Sequence, residues 1–319
     1  MPEMNIIQAV NDCLKIEMRR DERVVVLGED VGHFGGVFRA TVGLQEEFGP
    51  DRCMDTPLAE NGIVGCAIGM ALYGLRPVAE IQFADYVYPA FDQIVNELAK
   101  MRYRSGGEYC SPVVIRMPAG GGVKGGHYHS QSPEAVFIHT PGLKVVYPSN
   151  PADTKGLLAS AIRGEDPVIF MEPKRYYRTA RGDVPEGEYL VPLGKASVLQ
   201  EAAGRSARSV TLLAWGAMVH TAMEAAEKGL AMGYDIEVID RRRPKLITEE
   251  IITHADGVDH WLSTIKLPLI AEDGSCSQLL AVATDITAWK QASESAMHAK
   301  QLAEAANTAK DQFLAVLSH

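Results

Sequence analysis

Between Arg23 and Pro173, short apolar runs alternate with helical patterns, and this constrains the chain more than any other feature. Arg23 to Leu27, Pro77 to Gln82, Pro112 to Met117, Leu143 to Pro148 and Pro167 to Glu172 each read as a buried strand. Helical patterns separate them, near 61–73, over Tyr86 to Arg104 and over Asp153 to Arg163. In the second of these, Phe91, Ile94, Leu98 and Met101 fall on one face. Asn150-Pro151-Ala152 offers the third a cap with proline in the first turn. Residues 6–19 add an amphipathic helix through Ile6, Ile7, Val10, Leu14 and Ile16. Such alternation specifies an α/β fold, a parallel sheet covered by helices on both faces.

Residues 175–208 are polar and broken by Gly182, Pro185, Gly187, Pro192 and Gly194, which marks a boundary. Val210 to Ala214, Met218 to Met232 and Ile236 to Ile239 then read as strand, helix and strand, the start of a second α/β unit. The alternation stops at the basic junction Arg241 to Lys245. Trp261 to Ile270 and Leu279 to Thr284 read as strands, with Asp273-Gly274 as a hairpin turn between them. From Ala288 onward there is neither Gly nor Pro. Trp289, Ala292, Ala296, Ala299, Ala303, Ala306, Phe313 and Leu317 nearly follow a heptad, so a long helix is expected, either coiled-coil or solvated and charged. The expected segments are 1–185, a truncated 186–243, 244–287 and 288–319.

Composition narrows the function classes. The formal charge of -10 over 319 residues argues against nucleic acid and against anionic lipid as partners. The five cysteines form no CxxC pair, so reduced thiols in the cytoplasm fit better than a zinc site or a disulfide framework. The first twenty residues carry acids and read as no signal peptide, and no apolar run is long enough to span a bilayer.

Two stretches carry candidate chemistry. In Asp55-Thr56-Pro57-Leu58-Ala59-Glu60-Asn61-Gly62, a proline-bounded turn delivers Glu60 to the start of an apolar helix. Walled by Leu58, Ile63 and Val64, its carboxyl would lose water and could share a proton with a ring nitrogen. A helix-capping acid is the competing reading. The second stretch is Pro118-Ala119-Gly120-Gly121-Gly122-Val123-Lys124-Gly125-Gly126, followed by His127-Tyr128-His129-Ser130-Gln131-Ser132. The loop lacks both the P-loop ending and a dinucleotide fingerprint. It reads as a linker or as a loop closing on a ligand, and its histidines as titrating groups, as metal ligands without a nearby Cys or carboxylate partner, or as hydrogen-bonded loop residues.

The first 240 or so residues resemble the β subunit of the thiamine-diphosphate-dependent 2-oxoacid dehydrogenase E1 component. The motifs are Gly28-Glu29-Asp30-Val31-Gly32, Gly35-Gly36-Val37-Phe38-Arg39, Asp55 to Gly62, Arg76 to Asp85, Arg102-Tyr103-Arg104-Ser105, His129 to Ala135 and Pro141 to Val146. Glu80 to Tyr86 and His129 to Ala135 look most like the branched-chain enzyme, with the pyruvate enzyme next. The resemblance implies a transketolase-like pyrimidine-binding domain. It implies that Glu60 bonds N1′ of the coenzyme's aminopyrimidine, favouring the tautomer that takes the thiazolium C2 proton. Leu58, Gln82 and Tyr86 would line the pyrimidine. His129 would handle protons as the acyl group passes to lipoyl-lysine on E2. A potassium site would lie near Val113, Ala161, Ile162, Gly164 and Asp166. The Gly-Asp-Gly motif that grips the pyrophosphate through Mg2+ is absent here, so a separate α subunit in an α2β2 assembly would supply it.

Residues 244–319 resemble something else. His260-Trp261, Lys266 to Leu269, Asp273-Gly274 and Ala283 to Thr287 look like the closing strands of a PAS sensor domain. Ala306 to His319 looks like the start of a sensor histidine kinase dimerisation helix, with His319 as its phospho-acceptor. With the rest of a kinase missing, no autophosphorylation is expected. The rival to the enzyme reading is therefore a signalling fusion whose E1-like part senses a ligand without catalysis.

Overall fold

A strand that is apolar on both faces must be covered on both, and the main sheet of this protein is built from such strands. The structure, a computed structural model, describes residues 1–203, 209–242, 248–253, 259–270 and 276–285. The chain separates into two units, Met1–Pro244 and Lys245–His319.

The first unit begins with β1 (Glu3–Asn5), α1 (Ile6–Arg20), β2 (Val24–Gly28), α2 (Leu44–Phe48), β3 (Cys53–Asp55), α3 (Glu60–Leu72) and β4 (Arg76–Glu80). An irregular helical run over 84–104 follows, its last turn being α4 (Met101–Arg104). Then come β5 (Val114–Ala119), α5 (Glu134–Ile138), β6 (Lys144–Val146), α6 (Pro151–Arg163), β7 (Val168–Pro173) and β8 (Arg181–Asp183). The six-stranded sheet has the order β3-β2-β4-β5-β7-β6, and every pair in it is parallel. β1 and β8 pair antiparallel as a separate two-stranded sheet.

Side chains alternate across the sheet and feed two cores. Val24, Val26, Val78, Val114, Val168 and Phe170 face the side of α1 and α6. Leu27, Ala79, Ile115, Met117, Ile169 and Met171 face the side of α3 and the 84–104 run. α1 starts with a reciprocal capping box, in which the Asn5 and Gln8 side chains each accept from the other's backbone N–H at 2.9 Å. At α6 the expected cap is present: the Asn150 side chain accepts from Asp153 N at 2.8 Å, with Pro151 next in line.

A smaller sheet completes the unit with β9 (Ser197–Gln200), β10 (Ser209–Ala214), α7 (Ala217–Ala231) and β11 (Asp235–Asp240), ordered β10-β11-β9. It meets the larger sheet through the Ser149 hydroxyl on Asp240 at 2.5 Å, Arg242 on Asp153 at 2.7 Å and His220 on the Ser149 carbonyl at 2.8 Å.

The second unit contains β12 (Thr248–Thr253), β13 (Asp259–Ile270) and β14 (Cys276–Asp285), a three-stranded antiparallel sheet. The expected hairpin strands are both present and longer than expected, and β12 is an addition. Asp273-Gly274, the helix expected over 288–319 and His319 lie outside the described residues.

The single helix expected from Tyr86 to Arg104 is instead a chain of 3-10, π and α turns. Pro89 inside the first turn removes a backbone donor, and the π turn at Gln93–Glu97 shifts the phase. Ile94, Leu98 and Met101 are buried as expected, whereas Phe91 is exposed. β1, β3 and β8 are three residues each, too short to show a period in sequence.

Candidate active site

The strand order fixes where a crevice opens. The chain leaves β2 to form β3 on one side, then crosses back to build β4 and all later strands on the other. Loops diverge at such a switch, and ligands of open α/β sheets bind there, beyond the carboxyl ends of the strands. Glu29 follows β2, Glu60 follows β3, Gln82 and Tyr86 follow β4, His129 follows β5 and Lys174 follows β7. All of them leave the sheet at that one edge.

Glu60 is the first residue of α3 and only 7% exposed. Ala59 precedes it as a cap without a side-chain bond. Among the described residues, no group of the chain donates a hydrogen bond to the Glu60 carboxyl. A capping acid would accept from a first-turn N–H, so the capping reading does not describe it. Ile63 and Val64 are buried behind it, as expected. Leu58 is not part of that wall: it is 77% exposed, carried outward by the turn before α3.

Glu29 is the residue that sequence reasoning passed over, although it stood inside a quoted motif. It is buried, and burial pushes its carboxyl up to about 7, helped by the charges of Glu60 and Asp30. Two carboxyls close enough to feel each other's charge resist ionising together. The signal in the sequence was the acidic pair at the end of the first strand. The loop after β2 is tied to β3: Asp55 accepts from Gly32 N at 2.6 Å and from His33 N at 3.3 Å. Gly36, at φ +79°, packs where a Cβ would stand 3.0 Å from Glu80 Oε1, so any other residue there would strain the backbone and press on Glu80. Behind it, Arg116 bridges Glu80 at 2.7 Å and Glu172 at 2.7 Å in the sheet interior. The Thr56 hydroxyl is buried with no partner, four residues before Glu60.

His129 lies in a short turn, His127–His129, and is half-buried. Its Nδ1 sits 2.8 Å from the Gly125 carbonyl, which can only accept, so Nδ1 carries a proton. Its Nε2 is 2.8 Å from the Tyr86 hydroxyl. In the neutral ring Nε2 therefore accepts from Tyr86. Phe83 meets the imidazole edge to face at 4.5 Å. The Tyr86 phenol is raised by burial, then by the charges of Asp85, Glu29 and Glu60. Tyr86 thus links the histidine to the acidic pair electrostatically. Gln82 donates to Asp30 at 3.4 Å and lies half-buried at the same rim.

The residues expected around potassium form a different arrangement. The Val113 carbonyl accepts from Val168 N at 2.9 Å, and that of Ala161 from Gly164 N at 3.2 Å. The carbonyls of Ile162 and Gly164 accept from the Arg76 guanidinium at 2.9 and 2.8 Å. Asp166 accepts from Lys144 at 2.7 Å and from Arg102 at 2.9 Å, which hold its carboxyl below the usual range. These oxygens already serve donors of the chain, and a guanidinium bonded to two of them opposes a second cation. They do not make a fitting cradle for potassium, and no step is assigned to it. Among the described residues, no cluster of three or more His, Cys, Asp or Glu side chains could hold a metal ion, and no helix is long and apolar enough to cross a membrane.

Comparison with known proteins places this geometry. The transketolase pyrimidine-binding domain profile matches residues 2–179, and the transketolase C-terminal domain profile matches 199–265. The chain is 50% identical over 273 residues to the 2-oxoisovalerate dehydrogenase subunit beta of Bacillus subtilis, covering 86% of this chain and 80% of that one. The subunit of the same name from Pseudomonas aeruginosa is 49% identical over 255 residues, covering 75% and 71%. The pyruvate dehydrogenase E1 component subunit beta of Staphylococcus epidermidis is 51% identical over 242 residues, covering 76% and 73%. Among solved structures, a split-gene transketolase described as an inactive beta4 tetramer aligns with a TM-score of 0.59 at 24% identity, covering 75% and 72%. That last likeness is one of fold.

Proposed function

The chain belongs to the thiamine-diphosphate-dependent 2-oxoacid dehydrogenase E1 β subunits, and we propose that it serves the oxidative decarboxylation of a branched-chain 2-oxo acid. One observation carries the assignment of its site. The nearly buried Glu60 carboxyl accepts no hydrogen bond from the described chain, yet faces a second carboxyl that holds its proton up to about 7. An acid so placed is an unmet partner for a basic ring nitrogen, which is what an aminopyrimidine presents.

When bound, thiamine diphosphate supplies the electron sink for decarboxylation. The residues of this chain bind, orient and move protons. Glu60 holds a proton at the pyrimidine nitrogen. Glu29, kept neutral by burial up to about 7, spares the site a second negative charge beside Glu60. Gln82 and Tyr86 would line the ring. His129, with Nδ1–H fixed on Gly125 and Nε2 on the Tyr86 hydroxyl, would pass a proton through that pair as the acyl group leaves for lipoyl-lysine on E2. Leu58 is free to meet another surface, consistent with a site completed by an α subunit that brings the Mg2+–pyrophosphate grip in an α2β2 enzyme. The unpaired thiols of Cys13, Cys53, Cys66 and Cys110 suit the cytoplasm.

The branched-chain reading rests on the motifs around Tyr86 and His129. It is tested by co-expressing the chain with a matching α subunit and measuring thiamine-diphosphate-dependent CO2 release from 3-methyl-2-oxobutanoate and from pyruvate. The expected result is a stable hetero-oligomer with a higher kcat/KM for the branched substrate. Preference for pyruvate would reassign the substrate. A complex that forms but releases no CO2 from either would favour the non-catalytic sensor.

A further inference from the structure

The histidine of the proposed site sits at the end of a glycine-rich loop, and glycine does little to hold a side chain still. Something else must fix it. The peptide that joins His129 to Ser130 is gripped at both ends. Its carbonyl, the His129 oxygen, accepts from Lys174 Nζ. Its amide, the Ser130 N–H, donates to Asp85 Oδ1 at 3.1 Å, and the next amide, of Gln131, donates to the same oxygen at 3.1 Å. A cation on the carbonyl and an anion on the amide match the two ends of the peptide dipole. The peptide plane is thereby fixed, and with it the direction of the His129 side chain.

Both clamping residues are buried, Lys174 at 4% and Asp85 at 6% exposure, so water weakens neither contact. They come from the strands on either side of β5, Asp85 from the run after β4 and Lys174 from just beyond β7. Asp85 Oδ2 is buried without a hydrogen bond. The Lys174 ammonium also lies 4.9 Å over the Phe83 ring, whose edge-to-face partner is the His129 imidazole. One lysine therefore holds the backbone of the histidine and the aromatic surface against which its ring rests. The loop neck is closed independently, by Gly120 N on the Gln131 carbonyl at 2.8 Å. Releasing the clamp should free the histidine without opening the loop.

We propose that Asp85 and Lys174 are positioning residues that orient His129 by clamping the His129–Ser130 peptide between opposite charges. The inference rests on the role given to His129 above. Two measurements test it. In hydrogen–deuterium exchange of the full chain, Lys174→Met and Asp85→Asn should speed exchange of the amides of Ser130 and Gln131, with the strand amides of β5 and β7 unchanged. In the enzyme assembled with its α subunit, Lys174→Met should slow acyl transfer to lipoyl-E2 by about 100-fold, the usual cost of a misplaced catalytic group, with KM for the 2-oxo acid kept within about twofold. Lys174→Arg, which keeps a donor and the charge, should recover part of the loss. In a His129→Ala background, Lys174→Met should cost nothing further. Unchanged exchange, or a Lys174→Met loss that adds fully to that of His129→Ala, would overturn the clamp. Normal acyl transfer in His129→Ala alone would instead overturn the role of the histidine.

Discussion

At the scale of the residue, the proposed chemistry rests on Glu29 and Glu60, and the two were not equally legible. Glu60 stood out because a proline turn delivered one acid to an apolar helix. Glu29 did not: the adjacent acids Glu29 and Asp30 at the strand end are visible in the sequence, but that one of them is buried beside Glu60 is not. Its raised pKa has a consequence for stability. The folded state binds the Glu29 proton more tightly than the unfolded chain, with a pKa of about 7 against an ordinary 4.5. That contribution is complete below the unfolded value and is lost as pH rises through the folded one. Glu29→Gln imitates the protonated form. Its thermal midpoint relative to the unaltered protein should therefore be higher at pH 8 than at pH 5. An equal difference at the two pH values would mean that Glu29 ionises normally.

At the scale of the element, the parallel strands were legible because two-sided burial leaves an unbroken apolar run. The 84–104 run was not, because Pro89 and a π turn change its phase without changing its apolar count. The glycine loop after β5 was legible as a loop but not as a scaffold. Its anchors, Asp85 and Lys174, are 45 residues away from the groups they hold, on either side in sequence. Within the loop, a Cβ at Gly125 would lie 2.8 to 2.9 Å from atoms of the His129 ring and side chain. Gly125→Ala should thus displace the imidazole while leaving the sheet intact. Turnover is expected to fall about tenfold or more, with the thermal midpoint nearly unchanged. A variant with full turnover would show that the ring position seen here is not the working one.

At the scale of the molecule, the strand order decides where the proposed site residues gather. The strand order switches between β2 and β4, and β2, β3, β4 and β5 each send a proposed site residue to the same edge of the sheet. The domain resemblance was readable over the first unit because it rests on long motifs at strand ends. Beyond Pro244 the strands could be read, yet strands alone carry no chemistry. The proposed half-site fits the same layout: the acidic pair and the histidine are present, and the grip on the pyrophosphate would fall to an α partner. The most direct test is the rate of thiamine-diphosphate-dependent CO2 release from 3-methyl-2-oxobutanoate by the α-complexed Glu60→Gln variant. A fall of about 100-fold or more, with the complex still assembled, is expected from loss of a proton-holding carboxyl. A rate within about twofold of the unaltered enzyme would contradict the assignment of Glu60 to the coenzyme's ring nitrogen.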